Sequence, residues 1–427
     1  MPILKRIIAH GRAFLLAAAV VLGTVGVSHA VTYDLVTGTV PVAMPDGRTV
    51  TMWGFGLSGG PVTVPGPTLD VPNGESLTIN LTNNLPEPVS IVIPGLGLGA
   101  SPSPVMVGGR VQSFTGAAAA GGGTASYTFT TRPGTHLYES GADPALEIPM
   151  GLYGAVRVAS ATAGQAYDSA ATAFNNEVLV LYSEVDHTLN DAVAAGAFGT
   201  PAYPSTANFK AQYFLINGKA YSQGSDVPVY VGPTGSNVLL RLINAGSTTR
   251  VPAVQGAYMN CIAEDGYLMN FPQRSLSVVL PAGKTKDAIV VLGASGNYPL
   301  YDRRLYMTNA GAYPGGALTF LNAGAAPLPL LVAPPEGSQL PRATRPTFSW
   351  TAGSAGSSFT VEFSRNLNFT ALKPFSAGTA TQFTPNGGQW TAIKKLGLGR
   401  TLYWRVKETT STGAIVYSYT ARSFVIL

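Results

Sequence analysis

The chain has 427 residues, enough for two to four domains, and only 11% of them are charged. Its 26 basic and 21 acidic residues are dispersed, and Lys and Arg nowhere cluster with aromatic residues, which excludes a nucleic-acid partner. The chain has a single cysteine, Cys261, so no intramolecular disulfide forms and packed cores must hold the fold.

The first 30 residues have the features of an export signal. Lys5, Arg6 and Arg12 precede an apolar run at residues 14–27, and small residues lead to an expected cleavage after Ala30. The alternative is an uncleaved anchor, although the run is shorter than the roughly 20 residues that span a bilayer. Cleavage leaves 23 basic and 21 acidic residues, a net charge of +2. We predict a secreted or periplasmic protein without a membrane span after cleavage.

Almost everything after the signal has the pattern of β-strands, in short runs rich in Val, Thr, Leu, Tyr and Phe between Gly, Pro and Asn turns. In "LTINLTNN", Leu77, Ile79 and Leu81 alternate with polar residues, as in a half-buried strand. Asp265 and Gly266 after an apolar strand predict a hairpin. Helical periodicity is confined to a few turns near residues 190–197. The pattern predicts an all-β chain of sandwiches.

Three blocks follow the signal. We predict domains at residues 31–160, 174–325 and 342–427, with a Pro-rich linker at 326–341. A polar, Ala-rich linker lies between the first two. The last block carries Trp350 and Trp404 on strands where burial is expected, and its length fits a small seven-strand sandwich of the fibronectin type III or immunoglobulin-like kind.

Several motifs in the first two blocks resemble the cupredoxin domains of multicopper oxidases. Residues 64–91, "VPGPTLDVPNGESLTINLTNNLPEPVSI", resemble the opening strand pair of the family, and "GTHLYES" with "GLYGAVRV" resembles the end of its first domain. In the second block, "QYFLINGKAY", "VLLRLINAGS", "MNCIAEDGYLM" and "LPAGKTKDAIVVL" resemble the second domain. The resemblance implies two cupredoxin-like Greek-key sandwiches.

The family holds its coppers with paired histidines, and the resemblance places other residues at those positions. Val92 and Pro94 lie in "SIVIPG", where the family has Ser-Ile-His-Trp-His-Gly. Glu139 and Gly141 lie in "YESG", where it has Tyr-His-Ser-His. A complete copper set takes roughly ten histidines and a cysteine, whereas two histidines remain after signal cleavage. We therefore expect no bound metal at these positions and no cofactor.

Two other features bear on metal binding. Cys261 has no histidine near it, so we interpret it as a buried free cysteine that packs as a small hydrophobe. The densest group of potential ligands is His136, Glu139, Asp143 and Glu147, and an alternative metal site would use His136, Glu139 and Asp143. The favoured interpretation is a solvated loop, because His136 and Glu139 point to opposite faces of a regular strand.

Two further motifs have structural interpretations. His187 lies among polar residues with no identifiable nucleophile, so no Ser-His-Asp triad is predicted. Met52, Trp53 and Phe55 lie beside a glycine-rich loop, where packing between the two cupredoxin-like domains is favoured over an exposed docking patch.

The leading hypothesis is an exported relative of multicopper oxidases that has lost copper binding and oxidase activity. It would act as a binding or structural component of the cell envelope, with an unknown protein or a surface polymer as partner and a possible homo-oligomer. The competing hypothesis is an oxidoreductase of the multicopper oxidase type with an atypical metal site, for which copper would be the cofactor. A third hypothesis is attachment to a surface polymer through the last domain.

Overall fold

The computed structural model describes residues 30–98, 104–223, 226, 228–324, 329–353, 357–369, 372–409, 415–418 and 420–427. The predicted signal segment lies outside these residues except for Ala30, as do residues 326–328 of the predicted Pro-rich linker. Strands dominate the described chain, which confirms the all-β fold. None of the helices in these residues combines the length and the apolar character needed to cross a bilayer.

The first sandwich packs a six-stranded sheet against a three-stranded sheet. Its elements are β1 (Ala30–Ala43), β2 (Thr49–Leu57), β3 (Val62–Thr63), β4 (Leu69–Val71), β5 (Ser76–Asn83), β6 (Gly97–Leu98), β7 (Val105–Val107), β8 (Arg110–Ser113), β9 (Gly123–Thr130), β10 (Gly134–Glu139), α1 (Pro144–Met150) and β11 (Tyr153–Val158). The strand orders are β3-β2-β1-β5-β9-β6 and β10-β11-β4, and β7 pairs with β8. Leu77, Ile79 and Leu81 of β5 are buried in the shared core, which confirms the predicted alternation.

The second sandwich has a six-stranded and a four-stranded sheet. Its elements are β12 (Asn176–Val185), α2 (His187–Ala194), β13 (Tyr213–Ile216), β14 (Val229–Tyr230), β15 (Asn237–Asn244), β16 (Pro252–Val254), β17 (Met259–Glu264), β18 (Tyr267–Ser275), β19 (Thr285–Val291), β20 (Gly296–Asp302) and β21 (Leu318–Ala323). The strand orders are β13-β12-β15-β19-β17-β18 and β14-β21-β20-β16. Asp265 and Gly266 have φ angles of 50° and 72° and connect β17 to β18, as the predicted hairpin requires. Cys261 on β17 is a buried free cysteine, as predicted.

The third sandwich differs from the predicted seven strands, because its described residues form nine strands and a helix. They are β22 (Leu330–Ala333), β23 (Ser338–Leu340), β24 (Phe348–Thr351), β25 (Ser358–Ser364), β26 (Leu372–Gly378), β27 (Gln382–Phe383), α3 (Gly387–Gly397), β28 (Thr401–Thr409), β29 (Ile415–Tyr417) and β30 (Arg422–Ile426). Trp350 and Trp404 are buried in its core, as expected. The sequence "NGGQ" at the start of α3 is typical of a turn, but Asn386 and Gln389 form a capping box that begins a helix.

Apolar clusters join the first and second sandwiches. Met52 belongs to one such cluster with Val185 and Tyr213 of the second sandwich, while Trp53 and Phe55 are buried in the core of the first. All three are at most 3% exposed. The predicted packing between the two sandwiches is confirmed for Met52, whereas Trp53 and Phe55 pack within the first sandwich. The alternative of an exposed aromatic docking patch is wrong, because all three side chains are buried.

Candidate functional site

The connection between β10 and β11 is ordered as a short helix. Asp143 caps α1 by accepting a hydrogen bond from the Leu146 amide at 3.4 Å, and Pro144 occupies the first turn. Gly151 ends the helix with a φ of 124°, a conformation that favours glycine. The solvated loop predicted here is therefore wrong. The helix brings Glu147 and Ile148 back over the end of β10.

The structure brings together three of the four positions that the resemblance assigns to copper ligands. Val92 and Glu139 form an antiparallel bridge, with the Val92 amide donating to the Glu139 carbonyl at 2.9 Å and the reverse bond at 3.0 Å. Gly141 lies beside them, where a Cβ atom would come within 2.7 Å of Val92 Cγ1. Pro94 lies in the exposed turn that follows. The space beside Gly141 is therefore filled by a valine methyl group and cannot take a larger side chain without rearrangement.

The side chain of Glu139 lies in a pocket between the first and second sandwiches. This Glu139 pocket encloses about 330 Å³ and is defined by Glu139, Ile148, Tyr153, Glu184, Phe209 and Ser247. No side-chain hydrogen bond or ion pair of Glu139 is formed with any described residue. Burial raises the pKa of Glu139 to about 7, because removal from water penalises the charged carboxylate.

The opposite wall of the pocket carries a carboxylate whose hydrogen bonds are satisfied. Glu184 accepts from the Ser247 amide at 2.7 Å, from Ser247 Oγ at 2.5 Å and from Thr248 Oγ1 at 2.9 Å. It also forms an ion pair with the fully buried Arg250. Glu184 is therefore a fixed, paired charge, whereas Glu139 is unpaired.

Tyr153 lines the Glu139 pocket and lies directly across from Glu139 in the β10–β11 register. The residue is 1% exposed, and its hydroxyl faces the buried side chain of Ser183 on β12, with which it forms a hydrogen bond. Tyr153 therefore links the pocket wall to the second sandwich.

His136 occupies a second, smaller pocket of about 240 Å³ that it shares with Pro94 and Asp265. Its Nε2 donates to the Arg132 carbonyl at 3.1 Å, and its Nδ1 has no hydrogen-bond partner within the described chain. Burial lowers the pKa of His136, because the interior disfavours the imidazolium, so the ring is neutral at neutral pH. Gly266 packs against the ring, leaving no room for a Cβ atom.

The alternative metal site is not assembled. His136 and Glu139 line different pockets, and Asp143 serves as the cap of α1. Glu147 is fully buried, accepts from Ser140 Oγ and from the Asp143 amide, and has its pKa raised to about 7 by burial. In the part of the chain that the structure describes, no three His, Cys, Asp or Glu side chains are grouped to hold a metal ion.

A buried polar network holds the two sandwiches in register beside these pockets. Thr135 Oγ1 donates to Asp287 Oδ1 at 2.6 Å, and the Thr135 carbonyl accepts from Thr285 Oγ1 at 2.8 Å. Tyr167 donates to Asp287 Oδ2 at 2.7 Å, and Arg241 donates to Thr135 Oγ1 at 3.0 Å. Because Thr135 is on β10, the network fixes the strand that carries Glu139.

Sequence reasoning identified Val92, Glu139 and Gly141, but it missed Glu184 and Tyr153. The first three lie in the motifs "SIVIPG" and "YESG", which resemble motifs of the multicopper oxidase family. Glu184 lies in the second sandwich and meets Glu139 only across the interface. The unusually polar end of β12, where a glutamate follows an apolar run, was the one available signal for Glu184.

Two family models match the chain, both described as multicopper oxidase, at residues 42–163 and 176–322. The structure is similar to a blue copper oxidase from Nitrosomonas europaea, with 21% identity over 68% of this chain and 85% of that one and a TM-score of 0.56. It is also similar to a copper nitrite reductase from Nitrosomonas europaea, with 20% identity over 69% and 94% of the two chains and a TM-score of 0.54. A laccase from Botrytis aclada is 17% identical over 93% of this chain and 88% of its own, with a TM-score of 0.51. A comparison with curated proteins found no significant match.

Proposed function

Because this chain belongs to the multicopper oxidase family, we propose that it is an exported, copper-free member that acts as a binding or structural component of the cell envelope. The observation that carries the proposal is the direct pairing of Val92 with Glu139, with Gly141 packed beside them, at positions where the resemblance implies histidine ligands. Export is supported by the basic, apolar and small-residue pattern of residues 1–30.

The residues at these positions do not fit a copper ion. Copper in proteins is held mainly by imidazole and thiolate ligands. Val92 and Pro94 have no donor side chain, Gly141 has none, and Glu139 offers a single carboxyl group. A carboxyl group whose pKa is raised to about 7 is also a poor ligand for a cation at acidic pH.

The test is to express the whole chain, recover it from the exported fraction and determine its N-terminus and its metal content after incubation with copper. We expect an N-terminus at Val31 and far less than one copper per chain, with no blue absorption. Stoichiometric copper with a blue band, or a chain retained in the cytoplasm with its first 30 residues, would contradict the proposal. Copper that disappears in His136→Ala would instead support the oxidoreductase with an atypical metal site.

A further inference from the structure

We propose that the Glu139 pocket binds a small organic cation, a primary ammonium group carried on a short aliphatic or aromatic body. The inference rests on the proposed function, since it treats Glu139 as a ligand-binding carboxyl group in place of a copper ligand. It adds a ligand class and a site to that function.

The charges around the pocket favour a cation. Its lining contains two carboxyl groups, of Glu139 and Glu184, and no Lys, Arg or His among the described residues. Glu184 is already paired with Arg250. The side chain of Glu139 has no hydrogen-bond or ion-pair partner among the described residues, and an unpaired carboxylate in a largely apolar pocket is costly. An ammonium group would supply both the missing charge and three hydrogen-bond donors.

The rest of the lining favours an organic cation over a metal ion. A calcium ion takes six to eight oxygen ligands, whereas the pocket offers one free carboxyl group. Ile148 and Pro149 provide an apolar wall, and the half-buried Phe209 provides a ring on which a cation can lie. A volume of about 330 Å³ lies at the lower end of the range for small-molecule sites.

Binding should depend on pH in a defined direction. Burial raises the pKa of Glu139 to about 7, so the carboxyl group is protonated below that pH and charged above it. An ammonium ligand binds the charged form, so its affinity should rise about tenfold per pH unit below pH 7 and level off above it. The opposite trend would be expected for an anionic ligand.

The test is calorimetric titration of the purified chain with n-butylammonium and benzylammonium, using 1-butanol and benzyl alcohol as neutral analogues. We expect both amines to bind at pH 8, and to bind at least about tenfold more weakly at pH 6 because Glu139 is then protonated. The alcohols should bind at least about tenfold more weakly than the amines, since they leave the carboxylate unpaired.

Two variants and one control locate the site. Glu139→Gln keeps the shape of the side chain and should weaken amine binding at least about tenfold, while Glu87→Gln, on an exposed carboxylate of the same sandwich, should leave it unchanged. Phe209→Ala should weaken benzylammonium about threefold or more and preserve the pH dependence. Thermal unfolding of each variant verifies that it is folded.

Failure of this inference is distinguishable from failure of the proposed function. Copper content is measured on the same sample. A copper-free, folded chain that binds neither amine, or that binds them equally well as Glu139→Gln, overturns the ligand assignment alone. A chain that carries stoichiometric blue copper overturns the proposed function.

Discussion

At the scale of one residue, Gly141 leaves no space for a side chain at the end of the first sandwich. Its amide donates to Ser90 Oγ at 3.2 Å and its carbonyl accepts from the Phe114 amide at 2.8 Å, so the backbone is fixed on both sides. A Cβ atom would lie 2.7 Å from Val92 Cγ1 and 3.2 Å from Phe114 Cβ. Glycine is therefore required by close packing and not by an unusual backbone angle.

Gly141→Ala should lower the free energy of unfolding by about 1–3 kcal/mol, because the added methyl group overlaps a valine methyl in a packed region. Val92→Ala removes the overlapping atom, so the cost of Gly141→Ala in that background should fall below about 1 kcal/mol. Urea unfolding of the wild type, the two single variants and the double variant measures the coupling. Strictly additive effects would show that the two side chains do not compete for this space.

At the scale of an element, helix α1 gives structural roles to Asp143 and Glu147, two carboxylates that the sequence grouped as potential metal ligands. Asp143 accepts from the Leu146 amide, and Glu147 one turn later bonds back to the Asp143 amide at 3.1 Å. These contacts satisfy amide groups that a helix start leaves unpaired. They give Asp143 and Oε2 of Glu147 hydrogen-bonding roles within the first turn of α1.

Asp143→Ala should cost about 1 kcal/mol in the free energy of unfolding, because the cap of α1 is lost. Asp143→Asn retains an accepting oxygen and should cost only a few tenths of a kcal/mol. Urea unfolding in the presence and absence of a chelator separates a cap from a metal ligand. Equal losses for Ala and Asn that appear only without chelator would assign the residue to metal binding.

Strands with alternating apolar and polar residues, and turns with a typical residue pair, were predictable from the sequence. Short helices whose start depends on a capping side chain were not. The alternation in β5 and the Asp-Gly turn between β17 and β18 follow from local residue types, and both are present. The few helical turns predicted near residues 190–197 correspond to α2, which begins three residues earlier at His187. Helices α1 and α3 were missed, because α1 has only two turns with a proline in each and α3 begins at a glycine pair.

At the scale of the whole molecule, one buried carboxylate, Asp287, links the first and second sandwiches through hydrogen bonds. Asp287 is 1% exposed and accepts from Thr135 Oγ1 and from the Tyr167 hydroxyl, and Arg241 lies 3.7 Å away. Thr135 belongs to the first sandwich, and Tyr167 lies in the connection that was predicted to be a linker. That connection is packed against the second sandwich through Tyr167 and Leu239.

Asp287→Ala should lower the free energy of unfolding by about 3 kcal/mol, because it leaves two buried donors without their acceptor and removes a negative charge beside the buried Arg241. The control is Asp34→Ala, on an exposed carboxylate that bonds to Asn80, for which we expect a change within about 0.5 kcal/mol. Urea unfolding followed by fluorescence measures both. Similar small losses for the two variants would mean that the interface does not rely on Asp287.

The family and the fold were predictable from sequence, whereas the pocket was not. The motifs around β5, β10 and β11 keep their order along the chain, so the predicted resemblance to multicopper oxidases and the cupredoxin-like all-β fold are confirmed. The Glu139 pocket forms only when the second sandwich places Glu184 opposite β10. Nothing in the local sequence specifies the distance or the orientation across that interface.

Cys261 gives the chain a natural reporter of local opening. It is the sole thiol in the sequence, lies 4% exposed in the core of the second sandwich, and has its pKa raised by burial. A thiolate must reach the alkylating reagent to react with it, and the native fold keeps the Cys261 sulfur away from solvent until the surrounding strands separate. The rate of alkylation therefore reports how often the second sandwich opens. The first and third sandwiches contribute nothing to this rate, because neither contains a cysteine.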